Sequence, residues 1–154
     1  MSYITADHAY GDTVNLYYEE SGTGRPVVLI HGYPLDSRLW THQITALTTA
    51  GHRTIAYDRR GFGRSTPFKT GHDFDTFAAD LDALLTELGL TDAALVGHGM
   101  GTGDIVRYLG AYGSDRISRA ALLAPLPPLS APVGTEPRKF RTCVVRRSPR
   151  PRPT

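Results

Sequence analysis

Apolar positions along the chain follow two rhythms that alternate. Short unbroken apolar runs at 27–30 (Val-Val-Leu-Ile) and 93–96 (Ala-Ala-Leu-Val) predict strands buried on both faces. Residues 54–57 and 117–124 also predict strands. Residues 2–8 and 13–20 predict two further strands, joined at the turn dipeptide Gly11-Asp12. Between the runs the spacing becomes helical. Leu39, Trp40, Ile44 and Leu47 mark a helix that Asp36 or Ser37 can cap, running to about Ala50 before Gly51. Phe74, Phe77, Ala78, Leu81, Leu84, Leu85 and Leu88 predict a helix over 73–88, with Gly89 beyond its end. A glycine run at 97–103 opens a third helix that continues to about Tyr112.

Strands alternating with helices predict an α/β fold, a mostly parallel sheet with helices on both faces. In such sheets, sites form at the carboxyl ends of the strands. Loops 31–36, 58–67 and 97–103 stand at those ends.

Charge divides the chain. Its 154 residues carry a net +2, but residues 1–130 hold 10 Lys/Arg against 14 Asp/Glu, and residues 131–154 hold seven Lys/Arg against Glu136 alone. The basic segment also contains five prolines and has no apolar periodicity. Such a composition buries too little apolar surface to offset the entropy of ordering, so 129–154 reads as a disordered tail after a folded portion at 1–128. Seven cations can contact phosphates, but Phe140 is the tail's lone aromatic, so base stacking has no support and no nucleic-acid partner is expected. No apolar run reaches a membrane span of ~18–20 residues, and the first ten residues show no signal-peptide pattern. The single Cys143 excludes internal disulfides and fits a reducing, cytoplasmic compartment.

The glycine run carries the candidate chemistry. A dinucleotide fingerprint would need a third glycine where Thr102 stands, and an acid closing the next strand, which ends Leu-Leu-Ala-Pro instead. A nucleophile elbow, G-x-S-x-G, fits Gly97-His98-Gly99-Met100-Gly101 at every position but the central one. Its flanking glycines let strand and helix approach closely. Arg59, Arg60 and Arg64 would bind an anion or, more simply, pair with Asp58. Trp40 and Phe62 would line a pocket or pack. His42, His52 and His72 lack ligand spacing, so no metal is expected.

With these motifs the sequence resembles the α/β-hydrolase superfamily. It is most similar to the N-terminal half of the cofactor-free (non-heme) haloperoxidases, or perhydrolases, and related esterases. The resemblance rests on Pro-Val-Val-Leu-Ile-His-Gly-Tyr-Pro-Leu at 26–35, Tyr-Asp-Arg-Arg-Gly-Phe-Gly-Arg-Ser at 57–65, Asp-Thr-Phe-Ala-Ala-Asp-Leu at 75–81, and the stretch 95–108. It implies acyl transfer to water or peroxide, a small acyl or ester substrate, and no cofactor. It also implies that the backbone amides of Tyr33 and Met100 form an oxyanion hole, with His31, Gly32, Trp40 and His98 about the pocket. The nucleophile position falls on Gly99, which has no side chain.

The family order is Ser, then Asp or Glu, then His. All six histidines (8, 31, 42, 52, 72 and 98) precede the elbow's end, and Asp104 and Asp115 follow it too closely to be the acid. Thr102 and His98 are poor substitutes, because a hydroxyl one turn into a helix bonds backbone and neighbours at a sharp turn point apart. Catalytic deficiency is therefore expected. Two other readings remain: a binding protein that kept its pocket, and a truncated product without function. The resemblance further implies that the C-terminal strands and cap are missing. The strand at 117–124 would then be an open apolar edge, and the abrupt tail would reflect a reading-frame shift near residues 128–140.

Overall fold

The computed structural model describes residues 2–7, 13–67, 73–125 and 143–146. Its order is β1 (Ser2–Asp7), β2 (Thr13–Ser21), β3 (Arg25–Ile30), a 3-10 turn (Ser37–Trp40), α1 (Thr41–Thr49), β4 (His52–Tyr57), α2 (Phe74–Glu87), β5 (Ala93–His98), α3 (Gly101–Tyr112), β6 (Ile117–Leu123) and β7 (Cys143–Arg146). The strands form one sheet in the order β1-β2-β4-β3-β5-β6-β7. β4, β3, β5 and β6 run parallel, while β1, β2 and β7 join antiparallel at the two sides. The expected α/β class and mostly parallel sheet are present. The Gly11-Asp12 turn and the tail segments 129–142 and 147–154 lie outside the described residues.

Both faces of the sheet are covered because successive strand residues point to opposite sides. Val28, Ile30, Ile55, Tyr57 and Leu95 pack with Leu81, Leu84 and Leu85 of α2 and with Ile105 and Tyr108 of α3. Their neighbours Val27, Leu29 and Ala56 face the other way, onto Trp40 and the half-buried Ile44 and Leu47 of α1. Burial on both sides explains why these strands read as unbroken apolar runs. Among the described residues, no helix is long and apolar enough to cross a membrane.

The structure amends the sequence reading in two places. The segment expected as one helix from 37 to 50 begins as a 3-10 turn. Asp36 accepts the Arg38 amide at 3.0 Å, and the Leu39 amide donates to Asp36 O at 3.1 Å, closing i→i+3 before α1 starts at Thr41. The expected open edge at β6 is also corrected. β7 pairs with it, setting Ala120 opposite Val145, Ala121 opposite Val144 and Leu122 opposite Cys143. Cys143–Arg146 falls inside the stretch expected to be disordered. Its Cys-Val-Val core is a run of β-prone residues, and an unpaired strand edge offers such a run backbone hydrogen bonds.

Candidate active site

The elbow lies where β5 passes into α3. Gly99 has φ +54°, the left-handed region that favours glycine. Its amide donates to Leu123 O at 3.0 Å, fastening the turn to β6. Its carbonyl accepts the Thr102 amide at 3.1 Å and the Thr102 hydroxyl at 2.7 Å, the backbone role expected of that hydroxyl. The two flanking glycines are required by close approach. A Cβ at Gly97 would stand 2.7 Å from Gly101 O, and one at Gly101 would stand 2.6 Å from Ile30 O.

The 31–36 loop comes up against this turn. A Cβ on Gly32 would stand 2.8 Å from His98 O and 3.4 Å from the Met100 amide nitrogen. A Cβ on Gly99 would meet only Gly32 Cα, at 3.9 Å. The space that a nucleophile's side chain would fill is therefore open and faces Gly32. Met100 caps α3, and the first-turn amides of Thr102 and Gly103 donate back to Gly99 O and Met100 O at 3.1 and 3.0 Å. Tyr33, next to Gly32, is 71% exposed, with its ring edge-on to Phe62 at 6.0 Å.

His31 sits behind the loop, fully buried. Its Nε2 accepts the Arg59 amide at 2.9 Å, which leaves Nδ1 to carry the proton donated to Gly32 O at 3.0 Å. Burial lowers its pKa to about 4, so the ring is neutral at pH 7. With both nitrogens occupied, it holds the loop and has no lone pair to offer as a base. Trp40 lies in the core beneath α1. His98 is half-buried, and its Nδ1 has no hydrogen-bond partner among the described residues. His8 and His72 lie outside the described residues. No three His, Cys, Asp or Glu side chains converge as a metal site among the described residues.

The arginines correct the expectation that they pair with Asp58. Asp58 spends its carboxylate on backbone, accepting the Ser37 amide at 2.7 Å and the Arg64 amide at 2.8 Å. Arg59 instead binds Asp104 of α3 through Nε at 2.6 Å and Nη2 at 2.8 Å, with both side chains buried. Its guanidinium also lies over the Phe77 ring, 4.1 Å from the centroid. Arg60 binds Asp80 of α2 in the same two-pronged way, at 2.9 and 2.8 Å. Arg64 reaches Tyr17 and Glu19 of β2. Burial pushes the Asp104 carboxyl up to about 6 against the pull of Arg59, and at pH 7 it is ionised. Sequence reasoning weighed Asp104 only as a triad acid and did not find this pairing. The available signal was an acid beside Ile105 and Tyr108 on an apolar helix face, since a buried carboxylate needs a partner.

The alpha/beta hydrolase fold family model matches residues 25–142. A non-heme chloroperoxidase of Kitasatospora aureofaciens is 52% identical over 118 residues, which are 77% of this chain and 43% of that protein. A bifunctional esterase/perhydrolase of Acinetobacter calcoaceticus is 37% identical over 139 residues, 89% of this chain and 49% of the relative. The crystal structure of a bromoperoxidase from Bacillus anthracis superposes with a TM-score of 0.76 at 46% identity, covering 82% of this chain and 46% of that one. The chain thus spans about half the length of the relatives it matches.

Proposed function

This chain belongs to the alpha/beta hydrolase fold family, and from that premise we propose that it is a haloperoxidase- and esterase-like member whose elbow binds the oxygen of a small acyl compound without turning it over. The observation that carries this reading is the geometry about Gly99. The turn keeps the left-handed conformation of an elbow and the close approach of Gly32 to Met100, yet presents no nucleophile. The amides of Tyr33 and Met100 are main-chain groups, so the lack of a side chain at Gly99 leaves them in place. Such donors stabilise an oxyanion, and losing one costs ~3–4 kcal/mol in a transition state. Binding is retained under this reading, while attack and proton transfer are not. Gly99 has no side-chain atom to attack with, and His31 is fully hydrogen-bonded. Names among the relatives support water or peroxide as the acceptor in the wider lineage.

Titration of the isotope-labelled chain with methylphosphonate, a small tetrahedral anion, tests the reading. The Tyr33 and Met100 amide resonances are expected to shift saturably, and p-nitrophenyl acetate hydrolysis is expected to stay at the buffer rate. Unmoved amides, or robust turnover by the unmodified chain, would overturn it.

A further inference from the structure

We propose that Arg59, Asp104 and His31 are positioning residues, closing a ring of contacts that sets the spacing between the Tyr33 and Met100 amides. The inference rests on the anion-binding reading of the elbow. Every link is short and most are buried. From the head of α3 the ring runs to Asp104 in the helix's first turn, and from its carboxylate to the Arg59 guanidinium at 2.6 and 2.8 Å. From the Arg59 amide it passes to His31 Nε2 at 2.9 Å, and from His31 Nδ1 to Gly32 O at 3.0 Å. It closes where Gly32 comes against His98 O and the Met100 amide across the gap in front of Gly99. Gly32 O also accepts the Leu35 amide at 2.9 Å, so the carbonyl that His31 holds is the one that shapes the turn bearing Tyr33.

The two amides belong to separate elements, the loop after β3 and the head of α3. The β3–β5 ladder fixes where both elements begin, with Ile30 opposite Gly97, but it ends three residues short of Tyr33 and of Met100. Beyond the ladder the ring holds the spacing, because Asp104 moves with the helix that carries Met100 and His31 moves with the loop that carries Tyr33. The Arg60–Asp80 pair is the natural comparison. It is a two-pronged buried pair of the same kind at 2.9 and 2.8 Å, but it ties the 58–67 loop to α2 and lies outside the ring.

A thiol placed at the elbow reports on the site. In a Cys143→Ser background, which removes the chain's own thiol, Gly99→Cys points a sulfur at Gly32 and the head of α3. Amides and a helix N-terminus that hold an anion there would bring the thiol's ionisation below the usual ~8.5. The readout is the midpoint of the pH profile for alkylation by iodoacetamide. Adding Asp104→Asn separates position from charge. Removing a negative charge and freeing Arg59 would, by electrostatics alone, lower the midpoint further. Loss of the ring separates the amides and is expected to raise it by about one pH unit, roughly tenfold less thiolate at neutral pH. His31→Gln, which alters no charge at pH 7, is expected to raise it likewise, and serves if Asp104→Asn does not fold. Asp80→Asn is expected to leave the midpoint where the Gly99→Cys parent has it. A midpoint unmoved by both ring variants, or moved as far by Asp80→Asn, would overturn the positioning role while leaving the anion site standing. An ordinary thiol midpoint in the parent would remove the anion site, and the positioning role with it.

Discussion

Arg59 and Asp104 are a buried ion pair joined by two hydrogen bonds, 2.6 and 2.8 Å, between the loop after β4 and the first turn of α3. Two desolvated charges offset one another only while both are present. Arg59→Met is therefore expected to destabilise the chain by ~3–5 kcal/mol, since it leaves a buried carboxylate without its cation. The double variant Arg59→Met with Asp104→Leu is expected to recover most of that loss. Urea unfolding of the two single variants and the double variant measures the coupling. Additive losses would show that the pair does not act as a unit.

His31 gives a stability that depends on pH, and its sign follows from its burial. Its folded pKa is lowered from 6.5 to about 4, so between those values the unfolded chain binds more protons. The stabilisation is complete above pH 6.5 and is lost as pH falls through 4. Asp104 acts in the opposite sense. Its carboxyl is raised from 3.8 to about 6, so the folded chain holds more protons in that window and this group favours folding as pH falls. The two partly cancel in the parent, which makes a difference measurement necessary. Between pH 7 and pH 4 the parent is expected to lose ~3 kcal/mol more than His31→Asn does. Parallel pH profiles for the two proteins would contradict the assignment.

The parts legible in the sequence are those written locally. The apolar runs at 27–30 and 93–96 are the cores of β3 and β5, and the spacing of Phe77, Leu81, Leu84 and Leu85 marks the buried face of α2. The glycines at 97, 99 and 101 mark a turn whose geometry demands them. The partners of Arg59 and Arg60 were not legible. They lie 45 and 20 residues away, while Asp58 stands adjacent and acidic, so proximity along the chain pointed to the wrong carboxylate. Nor was β7 legible, because four residues in a Pro- and Arg-rich stretch carry no period to read.

Gly32 and Gly99 face one another, but they differ in what a side chain would meet. A Cβ at Gly32 would collide with the backbone His98 O at 2.8 Å, so Gly32→Ala must move either the loop or the elbow. A loss of ~1–3 kcal/mol is expected, together with loss of the methylphosphonate response. Gly99→Ala has room and carries only the left-handed φ, a cost of ~1–2 kcal/mol. Gly99→Asn is expected to be milder still, because asparagine tolerates that region. Thermal melts of the three variants rank them. A Gly99→Ala loss larger than that of Gly32→Ala would show that the elbow is tighter than its geometry indicates.

β7 closes the edge of β6, and its removal is expected to appear as self-association. Strand edges left open pair with other chains. Proline lacks the amide that a ladder needs and is excluded from paired positions. Successive residues of an antiparallel strand alternate in turning their amides toward the partner. One of Val144→Pro and Val145→Pro must therefore delete a bond to β6, and it is expected to raise light scattering with protein concentration. If neither proline variant associates, β7 is not what protects that edge.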